Sequence, residues 1–219
     1  MRLRWGVTTC VATILAGCAA AAPAASPLLR GQPAAYLLGI DQMVSPDFIR
    51  DTAPHPLGVA DITATNLPAA RQLTAAGFLG GASEDFFRSV GSLVLADGPV
   101  QVKDGVERFA STAGAGDVYR ADVSRLDAAP GAVAVSTGSL GDEAHATTTT
   151  AVTSDGLTAV EITVEWRVQN LLDILIVRGR EGGTRPEDAF ILAHRQTVIE
   201  LGLATPAPRV TTGASPSPT

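Results

Sequence analysis

The stretch Val160-Glu161-Ile162-Thr163-Val164-Glu165-Trp166-Arg167-Val168-Gln169-Asn170-Leu171-Leu172-Asp173-Ile174-Leu175-Ile176-Val177 decides the fold. From Val160 to Val168 the alternation is strict. Val160, Ile162, Val164, Trp166 and Val168 point one way; Glu161, Thr163, Glu165 and Arg167 point the other. Successive side chains on a strand face opposite sides. One face of this strand is therefore predicted to pack and the other to be wet, as in an antiparallel sheet covered on one side. Gln169-Asn170 turns the chain into Leu171–Val177, the most apolar run and a predicted central strand. Upstream, His145–Val152 is a Thr-rich strand candidate, joined to the first by a hairpin turn at Ser154-Asp155-Gly156.

Working outward, Asn66 is placed to cap a short helix through Ala76 that Gly77 closes. Ser83 is read as capping a turn containing Phe86 and Phe87. Ser92–Ala96, Val106–Phe109 and Ala132–Ser136 read as strands. A helix over Ala113–Leu126 carries Tyr119, Val123 and Leu126 at i, i+4 and i+7, and Pro130-Gly131 ends it. The last helix, Pro186–Leu201, is predicted to start with a capping box of Thr184 and Glu187 and to stop at Gly202. Ile191, His194, Val198 and Leu201 lie along one of its stripes. These elements predict a single α+β domain over residues 36–203: an antiparallel sheet of about five to six strands with helices packed on one face.

The N-terminus carries a different signal. Arg2 and Arg4 precede the uncharged run Val7–Ala16, which is far shorter than the roughly 20 apolar residues a bilayer span needs. This is the pattern of an export signal peptide. Leu15-Ala16-Gly17-Cys18 resembles the lipobox of bacterial lipoproteins. The resemblance implies removal of residues 1–17 and a diacylglyceryl group on the Cys18 thiol, so that the membrane itself is a partner. The expected location is the extracytoplasmic face of the cell membrane. The alternative is an ordinary secretory signal cleaved later, with Cys18 lost. Residues 18–35 are Ala/Pro-rich and read as a tether, and 204–219 as a disordered tail.

Composition excludes several classes. The 219 residues carry 16 Lys and Arg against 22 Asp and Glu, a net charge of −6. Loss of Arg2 and Arg4 leaves 14 against 22, or −8, and Lys103 is the only lysine. No basic face for nucleic acid is visible. Cys10 lies in the signal, so the mature chain offers no disulfide, no Cys-based zinc site and no thiol catalyst besides Cys18. The Ala/Gly/Arg/Asp bias fits a high-G+C genome of the actinobacterial kind.

Candidate chemistry is sparse. Of His55, His145 and His194, only His145 stands in a local cluster, Asp142-Glu143-Ala144-His145. On a strand, Glu143 and His145 share a face and can chelate an ion or shuttle a proton; otherwise the segment is a Gly-Asp turn entering an exposed strand. His194 falls on the predicted apolar stripe and reads as a core-edge residue. Arg178, Arg180 and Arg185 stand among three glycines before a helix N-terminus, a pattern that favours anions. The plainer reading is a glycine-rich loop with solvated charges. Glu161 and Glu165 invite an acid/base reading, or else solvate an open face and pair with Arg167 or a neighbouring strand. No G-x-S-x-G elbow occurs, and Gly114-Ala115-Gly116 is not followed by the residues of a phosphate loop. No cofactor or metal is implied.

Tyr36-Leu37-Leu38 before Pro46-Asp47-Phe48, Gly141-Asp142-Glu143-Ala144 entering a strand, Trp166 to Leu172, and the closing helix together give a further resemblance. The chain is similar to small exported actinobacterial domains, among them lipoproteins and the extracytoplasmic sensor domains of Ser/Thr kinases. The resemblance implies a cleft for a ligand. The disulfide pairs of the kinase sensor domains are missing here. The expected function is a non-catalytic domain that binds a small ligand or an envelope protein. The alternatives are a cell-envelope hydrolase acting through Asp142, Glu143 and His145, or an accessory subunit of a membrane complex.

The Cys18 reading has a direct test. Two acyl chains hold a protein on a membrane far more firmly than one. The wild-type chain is expected in the detergent phase on detergent partitioning, and Cys18→Ala in the aqueous phase or unprocessed. Unchanged partitioning of Cys18→Ala contradicts the anchor.

Overall fold

The computed structural model describes residues 28–90 and 96–202. Cys10, Cys18, the signal, the first part of the tether, the tail from 204, and all of the expected strand Ser92–Ala96 except Ala96 lie outside the described residues.

Seven strands form one antiparallel sheet: β1 (Phe48–Leu57), β2 (Phe78–Arg88), β3 (Pro99–Phe109), β4 (Val133–Val135), β5 (Glu143–Val152), β6 (Thr158–Val168) and β7 (Leu171–Arg180). Their spatial order is β1-β2-β3-β7-β6-β5-β4. The run Leu171–Val177 therefore does occupy the central strand, with β3 and β6 on either side. Gly156, at φ +81°, turns β5 into β6, and Gln169, at φ +57°, turns β6 into β7.

Seven strands replace the expected five to six, because β1 and β2 do not look like strands in sequence. β1 contains Pro54 and Pro56, and its pairing with β2 is irregular between Arg50 and His55. An edge strand tolerates such residues, and they keep it from pairing with other chains. β2 holds Gly80, Gly81, Ser83, Glu84 and Asp85. Ser83 thus lies inside a strand and caps no helical turn. The other edge, β4, is only three residues long.

Helices α1 (Val59–Thr63), α2 (Leu67–Ala75) and α3 (Thr112–Asp127) are joined by a fourth, α4 (Pro186–Glu200). Asn66 Oδ1 accepts the Ala69 N–H, as the cap reading requires, and Gly77 closes the helix at φ +79°. Ser111 caps α3 through the Gly114 N–H.

The helices divide between both faces of the sheet, which corrects the one-face expectation. α4 covers Ile162, Val164, Trp166, Leu175 and Val177, with Phe86 and Val102 further along. α1, α2 and α3 cover the opposite face, where Phe109, Leu172, Leu73, Val118 and Tyr119 pack together. The predicted wet face is therefore roofed: Glu165 is 1 % exposed and Thr163 8 %. Alternation reports which side chains share a face. It does not report whether a polar face meets water or another element.

The N-terminal segment lies on the α4 face. Leu29, Tyr36 and Leu37 pack on Ala82, Val106 and Leu171. Asn170 fixes this segment: its Oδ1 accepts the Leu29 N–H at 2.8 Å, and its Nδ2 donates to Leu29 O and Phe109 O. The last residues of the expected tether thus lie against the domain.

α4 presents Ala189, Leu192, Ala193, Gln196 and Glu200 to the sheet. The expected stripe points outward: Ile191, Val198 and Leu201 are exposed, as is His194. The buried stripe was hidden by two polar members, Gln196 and Glu200, which face buried acids on the sheet. The cap also differs. The Arg185 N–H donates to Asp188 Oδ2, while Thr184 is drawn inward by its N–H bond to Arg180 O. Leu192→Ala is expected to cost about 2–5 kcal/mol and Ile191→Ala no more than about 0.5 kcal/mol, read by urea denaturation.

Candidate functional site

The second face of the sheet is not packed throughout. Between α1–α2 on one side and α3 on the other lies a cleft whose floor is the middle of the sheet. Its larger part has a volume of about 530 Å³ and adjoins a second hollow of about 510 Å³. Ile62, Glu107, Ile174 and Ile176 line both. At one end the walls meet, where Gly114 in the first turn of α3 sits against the Ala76 carbonyl so closely that a Cβ would overlap it.

The strand register lays out the floor. One row across the sheet runs Ser83, Gly105, Ile174, Glu165. The row on one side runs Asp85, Lys103, Ile176, Thr163. On the other side Glu107 stands beside Leu172 and Arg167. Glu107 and Glu165 therefore sit on the strands flanking β7, one row apart. Gly105 leaves the floor open between them: a Cβ there would meet nothing nearer than 3.7 Å. α3 contributes Asp122 and Arg125 to the wall, joined through Arg125 Nε and Nη2 to Asp122 Oδ1 at 3.2 and 2.8 Å.

These two glutamates are the chemically unusual groups. Both are buried, and Glu107 Oε2 and Glu165 Oε1 have no hydrogen-bond partner among the described residues. Burial pushes the Glu107 carboxyl up to about 8, reinforced by Asp122 and opposed by Arg125. Burial likewise pushes Glu165 up to about 9, with Asp122 and Glu107 adding to the shift against Arg125. Water stabilises a carboxylate better than this lining does, so the proton stays on. Tyr119 is raised to about 12, by burial first and by Glu165 and Glu143 next.

A second set of buried acids lies on the α4 face. Asp104 accepts the Leu38 N–H at 2.7 Å and is raised to about 7, chiefly by burial. Burial and the neighbouring Glu200 raise Asp173, whose Oδ1 accepts from Gln196 Nε2 at 3.4 Å. Glu200 is raised to about 7 by burial against the hydrogen bond with Asp173. A proton on Asp173 allows it to donate to Glu200. This group ties α4 and the N-terminal segment to the sheet.

The sequence candidates fall elsewhere. Asp142 accepts the Gln169 N–H at 2.7 Å and Arg167 Nη1 at 3.0 Å, stapling the β6–β7 turn. Glu143 meets Arg167 at 3.3 Å, while His145 is bonded to Asp127 at 2.8 Å. Asp142 and Glu143 share Arg167, while His145 is turned to Asp127, so the three do not gather at one point. His55 bonds Ser83 at 3.1 Å and lines the second hollow. The histidines stand on β1, β5 and α4. Among the described residues no three His, Cys, Asp or Glu side chains gather as a metal site. Arg178 is paired with Glu161 at 2.5 Å and Gln101 at 3.1 Å. Arg180 donates to Ala96 O at 3.4 Å. Arg185 begins α4, whose first turn already carries Glu187 and Asp188.

Glu165 was thus singled out and its setting misread, while Glu107, Asp122 and Arg125 were missed. The signal for Glu107 was present in Val102-Lys103-Asp104-Gly105-Val106-Glu107. There the apolar alternation of a strand is broken by an acid on each face.

No protein-family model matches the chain, and no curated protein matches it. Among solved structures, it is similar to the extracellular domain of PknH from Mycobacterium tuberculosis, with 11 % identity and a TM-score of 0.52. The match covers 77 % of this chain and 94 % of that one. The two share a fold, and the expected likeness to kinase sensor domains holds at that level. No described helix is long and apolar enough to cross a membrane.

Glu165→Gln tests the state of the cleft. At pH 8 the unfolded chain must take up a proton at Glu165 in order to fold, and glutamine removes that requirement. The variant is expected to be stabilised by on the order of 3 kcal/mol at pH 8 and hardly at all at pH 4. Equal effects at both pH values would show an ionised Glu165.

Proposed function

We propose that this chain is an extracytoplasmic, non-catalytic binding domain, held to the membrane by lipid on Cys18, and that the cleft between α2 and α3 is its ligand site. The cleft carries the reading. It combines an apolar strip of Ile174 and Ile176, walled by Ile62, Leu73 and Val118, with buried glutamates that each keep an unpartnered oxygen, within the roughly 300–1,000 Å³ usual for small-molecule sites. The shared fold with an extracellular kinase domain is compatible with an exported domain of this kind. The hydrolase reading has less support, because Asp142 and Glu143 are both taken by Arg167 and His145 is bonded to Asp127 instead.

A substitution in the floor tests the site. Gly105 has room for a Cβ and no positive φ, and it lines the second hollow beside Ile174, whose side chain both hollows share, so Gly105→Phe is expected to fold and to project its ring over the shared floor into the cleft. Ligand-observed NMR screening of a mixed small-molecule set should give hits with the wild type that Gly105→Phe loses. Hits that survive the substitution, or a wild type without hits, would contradict the cleft as the site.

A further inference from the structure

We infer that the cleft selects organic cations, specifically a protonated amine carried on an apolar body, with the ammonium group held between Glu107 and Glu165. The inference rests on the cleft being the ligand site and adds the chemistry of what it takes.

The first argument is the charge facing the cavity. β3 contributes Glu107, Lys103 and Asp104, the last held by the Leu38 N–H; β6 contributes Glu161 and Glu165, and α3 contributes Asp122 and Arg125. β2 and β1 add Asp85 and His55. The lining residues of β7, α1 and α2 bring no titratable group. Arg125 is bonded twice to Asp122, and Lys103 is bonded to Asp85 at 2.9 Å. Glu161 is taken by Arg178. The pairings consume the cations and leave Glu107 and Glu165 over.

The second argument is the state of those two side chains. Each is buried, each lines the cavity, and each keeps a carboxyl oxygen without a partner among the described residues. Carboxylate oxygens only accept hydrogen bonds, and an ammonium group has three N–H donors and no acceptor. It therefore suits two acceptors standing on strands either side of β7. Between and beside them, Ile174, Ile176, Val118 and Leu73 give the apolar body its contact. An anion would meet the same two acids, with only Arg125 and Lys103, both already paired, to oppose them.

Binding moves a proton. Glu107 and Glu165 hold their protons near neutrality. An arriving ammonium favours the ionised carboxylate, so one carboxyl gives its proton to the buffer as the amine seats. No covalent bond to the ligand forms or breaks.

The test uses 4-phenylbutylamine, 4-phenylbutanol and 4-phenylbutyrate against the full mature chain at pH 7, by titration calorimetry in two buffers of different ionisation enthalpy. The amine is expected to bind about ten- to a hundredfold tighter than the alcohol, from the strength of hydrogen bonds to charged groups. Butyrate is expected not to bind. The observed heat of amine binding should shift between buffers by the release of close to one proton. The double variant Glu107→Gln with Glu165→Gln should keep alcohol binding while losing both the amine preference and the buffer dependence. Equal binding of amine and alcohol, with both lost in Gly105→Phe, overturns the cation assignment and leaves the cleft site standing. No binding of any probe, or binding unchanged in Gly105→Phe, overturns both.

Discussion

Carboxyl groups are buried on both faces of this sheet, and the helices, the N-terminal segment and the cleft are arranged around them. An ionised carboxylate removed from water costs several kcal/mol unless it is paired and fully hydrogen-bonded. Most of these acids have no cation bonded to them. Glu84 is ion-paired with Arg50, and Arg125 stands near Glu107 and Glu165 without bonding to them, yet burial still raises all three. Burial raises the others as well, so each of these acids holds its proton to higher pH than an exposed carboxyl and, while protonated, is a neutral group able to donate.

On the α4 face this chemistry is structural. The aliphatic floor of Ile162, Val164, Leu175 and Val177 gives way toward Asp173 and Asp104. α4 answers with Gln196 and Glu200 on its buried stripe. Leu38 answers through its backbone N–H. Asp104 is met by the Leu38 N–H and Asp173 by Gln196, partners from two elements distant in sequence, while an oxygen of each acid stays unpaired among the described residues. The contact therefore also fixes where the N-terminal segment lies. On the opposite face the same kind of acid faces open volume. Glu107 and Glu165 are covered too, but they line the cleft and no helix side chain hydrogen-bonds to them among the described residues. The difference between Asp104 or Asp173 and these two glutamates is whether a neighbouring element supplies a hydrogen bond.

Much of the fold was legible. The β5–β6–β7 meander followed from alternation and turn residues, α2 from its cap, and α3 from its apolar spacing and the Pro130-Gly131 stop. The outer strands were not, because Pro54, Pro56 and the polar run in β2 suit an edge position that sequence pattern does not reveal. The site was largely illegible for one reason. Glu107, Glu165, Gln196 and Glu200 are residue types that ordinarily face water, so Glu165 read as outward and the other three were not read as inward. Glu165 and Glu200 become recognisable only when the covering element is known. The local cluster at Asp142, Glu143 and His145 drew notice by proximity in sequence. In space its members serve a turn and a strand end.

Proton retention on folding gives the account its most direct measurement. A carboxyl whose pKa is raised in the folded state is protonated in both states in strong acid, where its burial costs least. As pH rises past the ordinary carboxylate range, the unfolded chain ionises first and gains stability. The loss continues until the folded carboxyls themselves ionise, at about 7 for Asp104 and Glu200 and about 8 and 9 for Glu107 and Glu165. Urea midpoints measured from pH 5 to pH 9 should therefore fall steadily, with folding at pH 7 taking up more than one proton. A midpoint that stays level or rises over that interval would show the buried acids to be ionised and would contradict the account.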